Sequence, residues 1–274
     1  MTDEAVYAIR RQYVDTPAGQ LHVRTLEARD RSAPPLLCLH PAPYSGLYFT
    51  TTMPHLNARR DVLAPDYPGY GGSTALDAAP AIADFAAAML ACIDAMEVNE
   101  PIDVLGFHTG CLVAVEMALT ASGRCGRLVL CDVPYFDEAR QATLRERVGQ
   151  PLALSDEFGS LEPAWQADVL SRVELAGLER SVELFAERLR ALPRDHEAFL
   201  AAFSYPCAER FAALDASIAG RLTIIATKSG LADATREAAA AVPGAVFVDA
   251  GDIEGAVFEA GAARIAQHVL AALD

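Results

Sequence analysis

The chain has 274 residues, 52% of them apolar, and its 37 acidic and 22 basic side chains give a formal charge of −15. This apolar content is enough for one large core with an inserted subdomain, and it excludes a disordered chain. The acidic balance repels polyanions, so nucleic acid and anionic membranes are excluded as partners.

Signals for export, membrane insertion or metal binding are lacking in the sequence. The acidic start Met1–Ala5 shows no basic-then-apolar signal pattern, and no run of about 18 apolar residues exists. We therefore expect a cytoplasmic protein without a membrane-spanning helix. The cysteines lack CxxC spacing, which indicates reduced thiols in the core. Without metal-ligand spacing or a dinucleotide fingerprint, we expect neither a metal nor a cofactor.

The first part of the chain reads as short strands separated by turn residues. A Pro-Ala-Gly turn separates the first two strands, and a loop rich in glycine and proline follows the fourth. The third and fourth strands are continuous apolar runs, which is typical of strands buried on both faces. The predicted strands are Ile9–Asp15, Gln20–Glu27, Pro35–Leu39 and Asp61–Pro65.

Helices then alternate with strands. Apolar residues spaced three and four apart predict a helix from Ile82 to Met96. A strand at Ile102–Leu105, a tight turn at Gly106–Gly110, a helix at Cys111–Ser122 and a strand at Arg127–Cys131 follow. This alternation predicts a mostly parallel sheet with helices on both faces.

From residue 134 to residue 220 the pattern is richer in charge and helical throughout. We call this segment the insert and expect it to form a helical cap that follows the sixth strand. Its predicted helices are Glu138–Arg147, Pro163–Leu178, Ser181–Leu192 and a stretch from Glu197 to about Ala212. Strands return at Leu222–Ala226 and Ala245–Val248, and a last helix spans Val257–Leu273. The core is therefore predicted to comprise residues 1–133 and 221–274.

The turn Gly106-Phe107-His108-Thr109-Gly110 has the sequence context of a G-x-S-x-G nucleophile elbow. It follows a buried strand and opens a helix. Side chains at the two glycine positions would strike the neighbouring strand and helix, while the middle residue takes a strained, positive φ. Histidine is among the residue types enriched at positive φ, so His108 fits there.

These motifs together resemble the α/β-hydrolase family over nearly the whole chain. The segment Leu39–Gly46 resembles the family's His-Gly-x-Pro oxyanion loop, and Ala64–Ser73 resembles its loop after the fourth strand. The elbow and the position of the insert also fit. The resemblance implies an α/β fold, with a mostly parallel eight-stranded sheet and an inserted helical cap.

The resemblance also implies a catalytic serine, an acid and a histidine, and this chain departs at all three positions. His108 replaces the serine. The acid position falls near Leu231, with Asp233 as a displaced substitute. Glu254 stands at or near the place of the final histidine. Ordinary acyl-enzyme esterase chemistry is therefore not expected.

Acidic residues near the edge of the sheet allow the same pocket to work with His108 as a general base. In some family members the acid follows the sixth strand, where this chain has Asp132. A carboxylate that accepts one ring N–H would orient His108 as a general base with a pKa near 6.5. The amides of Ala42 and Thr109 could hold a developing oxyanion, and Glu254 could serve as a second acid or base.

The pocket around this base is expected to hold a small carbonyl-containing organic substrate. Its predicted lining includes Tyr44, Ser45, Phe107 and Tyr135. Ser45 is a spare hydroxyl on the oxyanion loop, without an evident base within reach.

Two functions stay open at this point. One is a cofactor-independent hydrolase or lyase in which His108 is the base. The other is a catalytically silent ligand-binding homologue, in which His108 only holds a turn. In that reading Asp132 caps a strand end and Glu254 is a solvated carboxylate. The sequence leaves homodimer formation open.

Overall fold

The computed structural model describes residues 8–274, without the side chains of residues 158 and 160. The stretch Met1–Ala5, on which the predicted lack of a signal peptide depends, lies outside these residues. Eight strands form one sheet in the order β1-β2-β4-β3-β5-β6-β7-β8. The strands are β1 (Arg10–Thr16), β2 (Gly19–Leu26), β3 (Leu36–Leu39), β4 (Val62–Pro65), β5 (Ile102–Phe107), β6 (Cys125–Cys131), β7 (Leu222–Lys228) and β8 (Val246–Glu254).

The sheet confirms the predicted architecture. Strand β2 pairs antiparallel with both β1 and β4, and every pairing from β4 through β3 to β8 is parallel. The central strands are buried along their whole length, which explains why they read as continuous apolar runs. The parallel strands therefore end at one common edge, where the elbow lies.

Helices cover both faces of the sheet, because alternate side chains of each strand point to opposite faces. On β3, Leu37 and Leu39 belong to one apolar cluster and Leu36 and Cys38 to the other. The first cluster is completed by α2 (Ile82–Ala95), α3 (Thr109–Thr120) and α11 (Ala232–Ala240), and the second by α1 (Met53–Leu56) and α12 (Ala262–Leu273). All six cysteines are unpaired and buried, as the sequence indicates.

The insert contains only helices and turns among its described residues. They are α4 (Glu138–Arg147), α5 (Glu162–Trp165), α6 (Val173–Ala176), α7 (Leu178–Arg190), α8 (Glu197–Ala202), α9 (Cys207–Ala212) and α10 (Ala216–Ala219). The helix predicted at residues 163–178 is broken by a π-helical turn at Gln166–Leu170 and ends at Gly177, whose φ is 80°. The boundaries of the insert as a cap stay a prediction.

Other elements also differ from their predicted extent. The helix expected at residues 197–212 is two helices, because Pro206 lacks an N–H and disfavours helix at the residue before it. The last helix begins at Ala262 instead of Val257. Val257 and Phe258 lie in a turn, and their apolar side chains pack in the core, so they do not mark the start of the helix. Helix α11 was not predicted, since its buried face is made of small residues and shows no strong apolar period.

Candidate active site

The elbow between β5 and α3 has the sharp geometry that its glycines predict. His108 has φ 49° and ψ −115°, and α3 begins at the next residue. A Cβ on Gly106 would lie 2.5 Å from the carbonyl oxygen of Gly110, and a Cβ on Gly110 would lie 2.0 Å from that of Leu39. Backbone cannot yield to such contacts, so both positions require glycine, and the turn fixes the direction of the His108 side chain.

The His108 ring lies on the wall of a cavity of about 270 Å³ between the sheet edge and the insert. It stacks on the Phe107 ring, with centroids 3.9 Å apart. Neither ring nitrogen makes a hydrogen bond to another described residue. The walls are formed by residues of the core and of the insert: Tyr48, Phe107, His108, Asp132, Ser171, Arg172, Leu175, Lys228, Ser229, Gly255, Ala256 and Val257.

The imidazole is a weaker base than the sequence suggests. Burial, and then the positive charge of Arg172, lower the pKa of His108 from 6.5 to about 3. The ring is therefore neutral at pH 7. This corrects the expectation of a pKa near 6.5, which holds for a solvated imidazole.

Asp132 lies on the same cavity wall but does not hold the His108 ring in this structure. Its carboxylate accepts hydrogen bonds from the backbone N–H of Thr227 at 2.8 Å and from the Thr227 hydroxyl at 2.5 Å. Burial raises the pKa of Asp132, while hydrogen bonds from Thr227 and Ser229 oppose the rise. The carboxylate therefore ties the ends of β6 and β7 together, and the predicted carboxylate–imidazole pair is not formed.

Glu254 stands outside the cavity, contrary to the prediction of a second acid or base there. It is the last residue of β8, is exposed, and pairs with Lys228 at 2.7 Å. The cavity wall after β8 is formed by Gly255, Ala256 and Val257, none of which carries an ionisable group. The described wall residues that follow β8 therefore have no side chain that can move a proton.

The loop that resembles the family's oxyanion loop is held by His40. The Nδ1 atom of His40 lies 3.0 Å from the Pro41 carbonyl oxygen, and Nε2 accepts from the backbone N–H of Tyr67 at 3.0 Å. The amides of Ala42 and Thr109 donate no hydrogen bond to the described residues. Neither residue belongs to the cavity wall. An oxyanion cradle made by these two amides stays a prediction.

Tyr44 and Ser45 connect this loop to the insert instead of lining the cavity. The Tyr44 hydroxyl donates to Asp168 at 2.9 Å and accepts from Arg172 at 2.7 Å. The buried Ser45 hydroxyl donates to Glu187 of α7. Both side chains are therefore used at the seam between core and insert, and the hydrogen bonds of Ser45 to described residues include none to a histidine.

Of the other predicted aromatic residues, Phe107 lines the cavity and Tyr135 does not. Tyr135 packs edge-on against Phe211, with ring centroids 5.2 Å apart. Tyr48, which does line the cavity, lies 5.6 Å from the Phe107 ring and 5.4 Å from the Tyr44 ring.

Arg172 is the functional side chain that sequence reasoning missed. It belongs to the turn that leads into α6, and its guanidinium lies over the rings of Tyr44 and Tyr48 at 4.8 and 5.9 Å. One arginine among the many charges of the insert gives no sequence signal. Only the packing of the insert against the core brings it to His108.

The rest of the described chain offers no stronger candidate. A larger groove of about 640 Å³ lies on the insert beside Trp165 and Phe185, but Glu162 is its only ionisable lining residue. Residues 8–274 contain no group of three or more His, Cys, Asp or Glu side chains that could hold a metal ion. None of the helices over that range has both the length and the apolarity to cross a bilayer.

Comparison with known proteins gives a family and a set of similar folds. The alpha/beta hydrolase fold family matches residues 34–243 of the chain. A hydrolase from Pseudomonas aeruginosa is similar with a TM-score of 0.76 and 20% identity, over 96% of this chain and 98% of that one. No curated protein matches the sequence.

Two further solved structures have the same fold. An esterase from Thermogutta terrifontis has a TM-score of 0.73 and 17% identity, over 96% of this chain and 97% of its own. An enol-lactonase from Burkholderia xenovorans has a TM-score of 0.72 and 18% identity, over 96% and 99%. At these identities the similarity shows the fold alone.

Proposed function

The chain belongs to the alpha/beta hydrolase fold family, and on that premise we propose that it is a cofactor-independent hydrolase or lyase that uses His108 as its base. Its substrate is a small organic molecule with a carbonyl group. The observation that carries this proposal is an imidazole at the elbow, on a cavity wall, whose two ring nitrogens have no hydrogen-bond partner among the described residues.

The chemistry available to this imidazole is proton transfer. A neutral ring nitrogen can take a proton from water, whose oxygen then adds to the carbonyl carbon, or from a C–H next to the carbonyl. In the first route, which is hydrolysis, the adduct expels its leaving group, which takes the proton from the imidazolium. In the second, of the lyase type, the electron pair left on carbon expels a group from the adjacent carbon, and that group takes the proton. The free amides of Ala42 and Thr109 would stabilise the negative charge that develops on the carbonyl oxygen in both routes.

The site does not favour an acyl-enzyme mechanism. His108 occupies the position of the nucleophilic serine, and the wall after β8 has no histidine. Ser45 is engaged with Glu187. The hydroxyl of Ser229 lines the cavity, accepts from the backbone N–H of Leu231 at 3.2 Å and hydrogen-bonds to the Asp132 carboxylate, and none of its described hydrogen bonds is to a histidine.

One observation favours a second candidate, a ligand-binding protein without catalysis. No carboxylate of the described residues hydrogen-bonds to the His108 ring, and burial together with the nearby charge of Arg172 makes that ring a weak base. The imidazole would then serve as a hydrogen-bonding group for a bound molecule.

The two candidates are separated by a substrate panel of activated esters, thioesters and β-diketones, with products identified by mass spectrometry. We expect His108→Ala to lower turnover by about 100- to 10,000-fold, the range for losing a general base. His55→Ala, which removes an exposed histidine, is the matched control. If no substrate of the panel is turned over while its members still raise the melting temperature, the binding function is favoured.

A fluorophosphonate probe tests the serines directly. We expect no labelling of the wild type. Covalent labelling of Ser45 or Ser229 would replace His108 by a serine nucleophile and overturn the proposal.

A further inference from the structure

Arg172 places a positive charge on the wall of the His108 cavity, and part of its guanidinium is unused. Its Nη2 atom donates to the Tyr44 hydroxyl at 2.7 Å. Its Nη1 atom is buried and has no hydrogen-bond partner. The rings of Tyr44 and Tyr48 pack against the guanidinium plane, but such contacts do not satisfy an N–H donor.

The guanidinium also lacks a counter-ion of its own. No carboxylate in the described part of the chain lies within 4 Å of it. The nearest candidates serve other cations: Asp168 binds Arg188 at 2.6 Å, and Glu259 lies 3.5 Å from Arg180. Arg172 reaches Asp168 only through the Tyr44 hydroxyl, which bonds to both.

The unpaired Nη1 donor is costly for the empty protein, although the Asp168 and Glu259 carboxylates help to hold the pKa of Arg172 above its usual value. Charged groups removed from water are normally paired, and an unpaired buried donor costs free energy that a ligand can recover. An arginine fork matches the two oxygens of a carboxylate, and its planar geometry favours that group over a single point charge. A carboxylate that arrives with the ligand would therefore supply the acceptor that the Nη1 atom of Arg172 lacks.

We propose that Arg172 binds a carboxylate of the substrate, so that the molecule taken by the cavity is a small carbonyl compound that carries a carboxylate. This inference rests on the proposed function, because it takes the ligand of the cavity to be the substrate on which His108 acts. The volume of about 270 Å³ limits the substrate to a compact acid.

Binding of such an acid would also change the base. The Arg172 charge is one of the two causes that lower the pKa of His108, burial being the larger. A carboxylate on Arg172 offsets that positive charge, and so raises the basicity of the ring only when substrate is present. The other cation on the wall, Lys228, is exposed and already paired with Glu254, so it does not replace Arg172 in this role.

The test compares matched probes with and without charge on the full chain. The pairs are acetate with acetamide, and 2-oxobutanoate with its methyl ester, each titrated by calorimetry and by thermal shift. We expect the acids to bind the wild type more tightly than their neutral partners. Arg172→Gln should weaken acid binding by roughly 10- to 100-fold, the value of one charge-assisted hydrogen bond, and leave the neutral probes unchanged.

Two variants guard against trivial results. Arg172→Lys keeps the charge and should retain part of the acid binding, which a folding defect would not allow. Arg236→Gln removes an exposed arginine that pairs with Asp233, and should change nothing. Equal binding of acids and neutral probes, acid binding unaffected in Arg172→Gln, or no acid binding by the wild type would each overturn the inference.

The design separates this inference from the proposed function. If acids bind through Arg172 but nothing is turned over, or if turnover is the same in His108→Ala, the proposed function fails and the carboxylate site stands. If substrates are turned over through His108 but acids bind no more tightly than neutral probes, or Arg172→Gln leaves acid binding unchanged, the proposed function stands and the carboxylate site fails.

Discussion

The variant Asp132→Asn decides whether this carboxylate serves the fold or the imidazole. In the structure both of its oxygens accept hydrogen bonds from Thr227. Asparagine has the same shape and keeps one oxygen for the backbone N–H. Its amide group can donate to the Thr227 hydroxyl, which reverses from donor to acceptor.

The expected loss of stability is small. A hydrogen bond to a charged group contributes about 1.5–3 kcal/mol and a neutral one about 0.5–1.5 kcal/mol, so the exchange costs roughly 2 kcal/mol over both bonds. Burial disfavours the charged carboxylate, which offsets part of that cost. We expect the free energy of unfolding to fall by about 1 kcal/mol and the melting temperature by about 2–4 °C.

The measurements are urea unfolding, kcat on a substrate found with the panel, and an NMR titration of the His108 ring, which needs no substrate. Because Asp132 does not hold the His108 ring, the pKa of that ring should be unchanged in the variant. For the same reason kcat should stay within about threefold of wild type. Thr227→Val, which removes the hydroxyl partner, should lose a similar amount of stability. A fall in kcat of about 100-fold at unchanged stability, absent in Thr227→Val, would refute this reasoning and restore Asp132 as the group that orients the base.

Three further predictions concern stability. Because the folded pKa of His108 is about 3 and its unfolded value 6.5, the unfolded state takes up the proton first and the wild type loses stability as pH falls below about 6.5. Its melting temperature should therefore drop more from pH 7 to pH 5 than that of His108→Gln, by the equivalent of at most about 2 kcal/mol; identical pH profiles would contradict the buried, neutral ring. Gly110→Ala should destabilise by about 3 kcal/mol in urea, because its Cβ meets a β3 carbonyl, whereas Gly123→Ala has no atom within 4 Å of its Cβ and should be neutral. Glu187→Ala should cost about 3 kcal/mol and speed proteolysis of the insert, since it leaves buried partners unpaired; the exposed Glu183→Ala should do neither.

The fold could be predicted because it depends on local patterns that are visible in the sequence. Continuous apolar runs indicate the buried strands. Positions 106 and 110 require glycine because a Cβ at either position would clash with a backbone carbonyl oxygen. Helix breaks in the insert were harder to foresee. The π-helical turn at Gln166–Leu170 carries no proline or glycine, so nothing in its composition indicates it.

The site was predicted only in part. The sequence gives the order of the residues along the chain, but it does not show which side chains pair in three dimensions. The elbow predicts where His108 stands. The hydrogen-bond partner of Asp132 depends on how β6 and β7 end. In the structure Thr227, and not the His108 ring, donates to that carboxylate. Arg172 reaches the cavity from a segment 64 residues further along the chain than His108, so only three-dimensional packing reveals it.

The proton acceptor and the cation that weakens it sit on separate pieces of the polypeptide, one anchored in the sheet and one carried by the insert. Any displacement of the insert away from the sheet lengthens that separation and lessens the repulsion an added proton would feel. The pKa of His108 consequently depends on how the insert packs against the sheet. Substitutions where the insert contacts the core can change that pKa without altering His108 or Arg172.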